Sequence, residues 1–439
     1  MIDKITEIFE FIWGIPLTVF IVAAGVYLSY CAGFTQVKIK KVLKNTVGQI
    51  KGKACKSYRT FMTVLGGTIG VGNVAGVATA IAAGGPGAIF WMWVIAFFSM
   101  ATKMVEVTLA TKHRQKDSEG NNVGGAMYYI KTIKGNAGKI LAGVYSVALL
   151  LYVLCDSGFA QINTIASSLN ETFNVGLIVV AIALIVISIF LVSGGLKRIS
   201  DMLVKTVPFM YAFYIVFAII VILANIKGIP AGLANVFKYA FRPAPVIGGF
   251  AGATVMAAIA KGSARGIFAN EAGLGTSTTV HATSDNTPLV QGLWGVLEVS
   301  IVSFVVCTIT GLLILSTGVW TSGLDGAPLV LEAFNVQFGS WAKYVTCIVI
   351  CLFAYTSYIG FYYEFTTCMR YMASEKALKY LKWIYILPIP LATFLSVETV
   401  WSFFADASVG FIAIPNIVAL LILSKEFKNI YKKESKKLA

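Results

Sequence analysis

Charge is what this 439-residue chain has least of. Only 13% of its residues are Asp, Glu, Lys or Arg, against 57% hydrophobic residues and a mean hydropathy of +0.80. A water-soluble globule of this length cannot be covered by so little polar surface, so the chain reads as an integral membrane protein. Acidic residues are scarcer than basic ones, 20 against 35, for a formal net charge of +15. That excess would suit nucleic acid only if the basic residues shared one folded face with base-reading partners. They lie instead in the gaps between apolar runs, so no nucleic-acid role follows. Histidine is almost missing. His113 and His281 are the two present, both outside the apolar runs, which argues against metal chemistry inside the membrane. The seven cysteines are an odd number; Cys31, Cys155, Cys307, Cys347, Cys351 and Cys368 fall in or at the ends of apolar runs, with neither zinc-type spacing nor a disulfide framework. HExxH and GxSxG signatures are absent as well, which counts against a membrane enzyme.

What is present is a series of long apolar runs. Windows of about twenty residues give eleven expected helices, at 9–30, 60–83, 87–111, 140–168, 174–193, 205–224, 247–273, 291–317, 341–369, 381–396 and 402–424. The first follows a mixed acidic and basic start and has span length, so it is expected to be a retained helix rather than a cleaved signal. Residues 35–59 are basic with apolar Val37, Ile39, Val42, Leu43, Val47 and Ile50, a pattern that suits a helix lying on the membrane surface. With the first helix running outside to inside, the segments 35–59, 112–139, 194–206, 274–290, 370–383 and 425–439 face the cytoplasm and hold 27 of the 35 Lys and Arg. The positive-inside rule therefore predicts an outside N-terminus and a cytoplasmic C-terminus. The loop 225–246 dissents, being outside in this scheme yet carrying Lys227, Lys238 and Arg242.

Two of the apolar runs are interrupted. Gly70-Val71-Gly72-Asn73 sits inside the run 60–83, and Lys261-Gly262-Ser263-Ala264-Arg265-Gly266 inside the run 247–273. Backbone within a bilayer leaves the helix only where it is buried in protein or lines a cavity, and paired broken helices mark the solute site of repeat-built transporters. The competing reading is that these glycines allow close helix packing, Gly72 and Gly76 being a formal small-xxx-small match. Setting the first helix aside leaves five plus five, each half opening on an interrupted helix. An odd number of spans per half places the halves in opposite orientation, which makes an inverted repeat. The expected layout is an extra N-terminal helix in 1–34, a basic surface helix in 35–59, a first five-helix repeat in 60–224, an outer loop in 225–246, a second repeat in 247–424 and a basic cytoplasmic tail in 425–439.

Four stretches resemble a known family. They run from Gly66-Gly67-Thr68-Ile69 through Asn73-Val74-Ala75-Gly76-Val77, from Gly84-Gly85-Pro86-Gly87 to Trp93, from Gly124 to Tyr129, and from Lys261-Gly262 through Asn270-Glu271-Ala272-Gly273-Leu274-Gly275. In that order, over nearly the whole chain, they are similar to the alanine or glycine:cation symporter family. The resemblance implies an all-α membrane protein with a LeuT-like fold and sodium-coupled uptake of small neutral amino acids such as alanine and glycine. The sodium ion would be the coupling ion. The bilayer is then the surrounding partner, and no obligatory protein partner is expected.

An amino acid zwitterion entering the membrane loses the water around both its charges. Backbone N–H groups at a half-helix N-terminus suit the carboxylate, which places it at Gly70, Gly72 and Asn73 with the Thr68 hydroxyl beside them. The ammonium needs an acceptor. Asp156 is the one carboxylate in 140–168, and an ionisable residue in a span is by default functional; its structural alternative is pairing with Lys261 or Arg265. Gln161 and Asn163 either join the site or bond between helices. Phe268, with Ile267 and Asn270, would close the pocket around a small side chain, while Glu271, Lys261 and Arg265 form either a gate or a charge network. By resemblance to the sodium site of LeuT-like transporters, the carbonyls of Gly66, Ile69 and Phe353 join the hydroxyls of Thr356 and Ser357. The alternative for that hydroxyl pair is bonding back to its own helix. A cation channel and a proton-coupled carrier are the rival functions; a channel usually needs an oligomeric ring, whereas a five-plus-five chain encloses a site alone.

Overall fold

A membrane helix hides its own backbone polarity and leaves its apolar side chains free to face lipid. That logic organises the computed structural model, which describes residues 15–50, 55–118, 120–373, 375–396, 400 and 406–438. It is mostly helical, and six of its helical stretches are long and apolar enough to cross a bilayer: Gly87–Lys112, Asn136–Phe173, Leu177–Ala224, Pro288–Thr317, Gly326–Met372 and Ser408–Lys437. Ile178, Val179, Ile182, Val186 and Phe190 are each more than half exposed along one helix, a surface that only lipid makes stable.

The elements used below are α1 (Ile15–Cys31), α2 (Lys56–Thr68), α3 (Ala75–Gly84), α4 (Gly87–Lys112), α5 (Asn136–Val153), α6 (Ile162–Phe173), α7 (Leu177–Ala224), α8 (Val255–Asn270), α9 (Pro288–Val299), α10 (Thr308–Thr317), α11 (Ala342–Met372), α12 (Pro388–Phe394) and α13 (Asp406–Glu434). Wider π-turns join α5 to α6 over Leu154–Gln161 and α9 to α10 over Ser300–Cys307. Helix α4 packs along α8 and α9, and α11 lies against α2, α6 and α7. Residues 9–14 of the first expected span, 51–54 of the expected surface helix and 402–405 of the last expected span lie outside the described residues.

The run 60–83 is broken where expected. Helix α2 ends at Thr68, a short 3₁₀ turn spans Val71–Asn73, and α3 restarts at Ala75. The second break lies elsewhere than expected. Lys261 to Gly266 belong to the uninterrupted α8, and its glycines serve packing: a Cβ on Gly262 would meet Trp91 Cβ at 3.0 Å, and one on Gly266 would meet Met92 Cα at 3.4 Å, both on α4. The chain leaves the helix after Asn270 instead. Glu271 takes a left-handed φ of 52°, Gly273 one of 93° and Gly275 one of 74°, before a single turn at Thr278–His281. Only glycine visits that region freely, and a glutamate held there marks a constrained turn.

Other boundaries also moved. Helix α8 begins at Val255, because residues before it pair as bridges, Ala244 with Ala253 and Ile247 with Phe250. The expected helices 174–193 and 205–224 form one hydrogen-bonded run, α7, kinked where Gly195 takes a φ of 69°. Of the basic segment 35–59, residues 35–50 fold as a short helix, Ile39–Asn45, between two 3₁₀ turns rather than as one long surface helix, and Lys56 already opens α2; Val37, Leu43 and Val47 remain exposed. His281, placed by sequence outside the spans, is fully buried.

Candidate functional site

Four elements converge on the break between α2 and α3. Gly67, Thr68, Gly70, Gly72 and Asn73 form one wall of a cavity, and Asp156 and Gln161 from the π-turn, Phe268 and Glu271 from the end of α8, and Ser357 and Phe361 from α11 complete it. Its volume is only about 10 Å³, near what one water molecule needs. Seven of the eight residues expected at the substrate site line it. Asn270 does not: its side chain accepts from the Ala272 N–H at 3.0 Å and donates to Ser303 at 3.3 Å, so it supports the turn.

The broken backbone is held open by specific bonds. Asn73 accepts the Gly70 N–H at 3.0 Å and donates to the Ala269 carbonyl at 3.1 Å, tying this break to the end of α8. Thr310 on α10 donates to the Asn73 carbonyl at 3.0 Å. The Gly70 N–H is thus already satisfied. A Cβ on Gly70 would press on Ser357, with Gln161 Oε1 3.3 Å away; one on Gly72 would lie 2.7 Å from the Phe268 ring. Glycine at both positions is what lets the backbone reach the cavity. Gly66 and Gly67 also serve packing, facing Leu203 and Val207 on α7 and Gly360 on α11.

Asp156 is 2% exposed and sits in a π-turn, a feature frequent at functional sites. Gln161 donates to its carboxylate at 3.3 Å and the Tyr152 hydroxyl at 3.5 Å. No cation is among its partners in the described residues. Lys261 is exposed and the Arg265 guanidinium lies 6.0 Å over the Phe268 ring, so the structural pairing of Asp156 with either is not formed. Gln161 keeps a buried Oε1 without a partner at the cavity. Asn163 faces elsewhere, donating at 2.9 Å to the Ala392 and Leu395 carbonyls at the end of α12.

On the α11 side, the Ser357 hydroxyl donates to the Gly67 carbonyl at 2.8 Å. Thr356 bonds back to its own helix, to Leu352 at 2.9 Å and Phe353 at 3.1 Å, with Met210 sulfur at 3.2 Å. The two hydroxyls expected together therefore behave differently: one reaches across to the broken helix and one does not. Among the described residues no three or more His, Cys, Asp or Glu side chains gather as a metal site; oxygen from backbone and hydroxyl groups is the donor set available.

A sequence model of the sodium:alanine symporter family matches residues 1–438. The chain belongs to that family. It is 32% identical to the sodium/alanine symporter AgcS of Methanococcus maripaludis, covering 99% of each chain, and 32% identical to the probable sodium/glutamine symporter GlnT of Bacillus subtilis, covering 95% of this chain and 87% of that one. Its fold is similar to the crystal structure of the Eremococcus coleocola manganese transporter, at a TM-score of 0.51 and 14% identity over 83% of this chain and 78% of that one.

Beside the cavity this family member buries a polar network that the sequence reading overlooked. Lys103 and Glu106 on α4, Glu298 on α9 and Glu364 on α11 are all 2% exposed or less. Lys103 pairs with Glu298 at 3.5 Å and donates to the Glu271 carbonyl and to Ser277, each at 3.1 Å. His281 bonds Glu298 at 2.9 Å and Gln291 at 2.7 Å. Thr68 donates to Glu298 at 2.9 Å and to Val64 at 3.1 Å, so its hydroxyl links cavity to network. Glu106 accepts from the Gly273 N–H at 2.9 Å and from Asn416 at 2.6 Å, fixing the second break. The signal was in plain view: each is an ionisable residue inside an apolar run, the criterion that singled out Asp156.

Proposed function

We propose that this family member is a sodium-coupled secondary active symporter that takes up small neutral amino acids, alanine and glycine, by alternating access. The observation that carries the reading is the convergence at one buried cavity of a broken helix, an uncompensated carboxylate at Asp156 and an interhelical hydroxyl at Ser357. The family's transporters are membrane carriers rather than enzymes, and the proposed layout is eleven spans, with one extra N-terminal helix before a LeuT-like five-plus-five inverted repeat in 60–224 and 247–424. Its N-terminus lies outside and its C-terminus in the cytoplasm.

In this reading the substrate carboxylate binds at Gly70, Gly72 and Asn73, at the positive end of α3, by displacing the Asn73 side-chain oxygen from the Gly70 N–H. The ammonium meets Asp156 and the free Oε1 of Gln161. Phe268 and Phe361 bound the side chain. Sodium, transported with the substrate, is held by the carbonyls of Gly66, Ile69 and Phe353 with Thr356 and Ser357. A cavity of this size seats an amino acid only after its walls separate, which a two-state carrier does each cycle. The glutamine in one relative's name is a larger substrate, and the aromatic walls here favour a smaller one.

Purified full-length protein in proteoliposomes tests this. An inward sodium gradient should concentrate labelled alanine, and glycine should compete better than leucine or phenylalanine. Uptake that equilibrates without concentrating, or that ignores sodium, would refute the symporter reading.

A further inference from the structure

Helix α7 kinks at Gly195, and directly past the kink one helix face carries Lys197, Arg198, Asp201 and Lys205. With Gly194 and Met202 they line an open cavity of about 340 Å³, within the size range of small-ligand sites. Lys197 and Lys205 are exposed. Asp201 is the one acidic residue in the lining, and its carboxylate is paired with Arg59 from α2. Among the described residues no Asp or Glu pairs with Lys197, Arg198 or Lys205. Counting Arg59, four positive charges share the region with a single negative one, so the cavity is built to take an anion.

What surrounds these charges decides which anion. Phe190, before the kink, and Phe209, one turn past Lys205 on the same face, are each more than half exposed. Arg198 spans the kink, donating to the Phe190 carbonyl at 2.9 Å with its guanidinium 4.2 Å over the Phe190 ring. Lys382 Nζ lies 3.5 Å from the Val192 carbonyl and brings the exposed Tyr380 and Trp383 to the same level of the molecule. Aromatic rings and lysines gathered where an apolar helix turns polar mark the boundary between hydrocarbon and water. A free phosphate would use the charges and none of the apolar neighbours. A phospholipid uses both, since its headgroup and its chains meet at that boundary.

We propose that the kink of α7 is a binding site for one anionic phospholipid, its phosphodiester headgroup held by Lys197, Lys205 and Arg198 and an acyl chain laid along Phe209. Charge-assisted N–H bonds to phosphate oxygens are the strong contacts of such a site. Arg198, which already spends one N–H on Phe190, closes it from the kink side. Asp201 stays compatible with an anion beside it because Arg59 neutralises it. Basic pockets of this kind on the cytoplasmic side of membrane helices take lipid headgroups. The site rests on the proposed topology, with 194–206 in the cytoplasm, only for which leaflet supplies the lipid.

Native mass spectrometry of the purified full-length protein in detergent, titrated with phosphatidylglycerol or with phosphatidylcholine of the same chains, counts the bound lipid without any transport. The parent should retain one phosphatidylglycerol in preference to phosphatidylcholine. Each lysine near the headgroup contributes about fivefold in affinity, so the double variant Lys197→Gln with Lys205→Gln, both at exposed positions, should bind phosphatidylglycerol about twentyfold more weakly and phosphatidylcholine as before. Phe209→Ser should weaken phosphatidylglycerol with the charges intact, and glycerol phosphate, the headgroup without chains, should fail to displace it. Equal retention of the two lipids, or a double variant within about twofold of the parent, overturns the site. Displacement by glycerol phosphate at concentrations matching the lipid overturns the lipid as occupant and leaves a free phosphate in its place. A protein that retains phosphatidylglycerol as expected yet takes up no alanine supports the lipid site and removes the symporter reading alone.

Discussion

Ser357 on α11 donates its hydroxyl proton to the carbonyl of Gly67, at 2.8 Å, across the gap to the broken helix. It is one of the few side-chain bonds that join the two halves of the proposed repeat at the point where α2 loses its helical form. Any motion that separates α2 from α11 must break it. In the sodium-loaded state proposed above, the Ser357 oxygen turns a lone pair to the ion, while the ion takes over the stapling of the two elements.

Ser357→Ala should therefore weaken apparent sodium affinity more than Thr356→Ala does. Thr356 already spends its proton on Leu352 and Phe353 of its own helix, so its loss changes the α2 contact less. Removing one oxygen that meets a charge costs about 1 kcal/mol or more, roughly fivefold in affinity. Sodium titration of alanine uptake measures it. Equal sodium dependence in parent and Ser357→Ala would remove this residue from the ion site.

Gly72 and Phe268 set the size limit. An added methyl on Gly72 would sit 2.7 Å from the ring, closer than carbon atoms tolerate. Gly72→Ala should cost about 1 to 3 kcal/mol of overpacking and reduce alanine uptake well before it unfolds the protein. Phe268→Ala should admit larger amino acids and rescue uptake by Gly72→Ala. Competition by leucine, measured in the single and double variants, decides: an unchanged substrate range in Phe268→Ala contradicts the pocket.

The N-terminal end of α2, which faces the cytoplasm in the proposed topology, is latched. Lys56 pairs with Asp285 at 2.7 Å, Arg59 pairs with Asp201 on α7, and Ser57 bonds Asn286 at 3.1 Å. These are partly exposed ion pairs, worth about 0.2 to 1 kcal/mol each, which suits a gate that must open. Asp201→Asn and Asp285→Asn should each favour the inward-open state by up to about fivefold. Cys55, directly before α2 and partly buried, should then react faster with a membrane-impermeant maleimide applied to the inner face. An unchanged rate in the double variant would show that these pairs do not hold the gate.

The first break was legible because two glycines and an asparagine in an apolar run have few other uses. The second was misplaced for the same reason in reverse. Gly262 and Gly266 have the spacing of a break but fit against α4, while the turn that leaves the helix starts at a glutamate, Glu271, whose left-handed backbone carbonyl accepts from Lys103 on α4 and whose carboxylate accepts from Thr276 within the turn. Asp156 stood out as an ionisable residue inside an apolar run. Lys103, Glu106, Glu298 and Glu364 each met that criterion, yet what they form is an assembly from three helices distant in sequence. Only packing reveals which charges meet. His281 shows the limit most clearly, since a loop assignment from hydropathy says nothing about a chain that folds back into the protein.

The decisive variant remains Asp156→Asn. The carboxylate is 2% exposed, its partners are the neutral Gln161 and Tyr152, and it faces the cavity at the break. If the substrate ammonium supplies its missing counter-charge, removing that charge costs about 3 to 5 kcal/mol of binding, as when one partner of a buried pair is lost. At about 1.4 kcal/mol per tenfold, alanine affinity should drop by about two orders of magnitude or more. Folding should be spared, because Asn keeps the shape and the polar contacts to Gln161 and Tyr152 are neutral ones. Alanine binding measured on purified, monodisperse Asp156→Asn checks this. Affinity within about threefold of the parent would take the ammonium away from Asp156 and leave the unpartnered Oε1 of Gln161 as its acceptor.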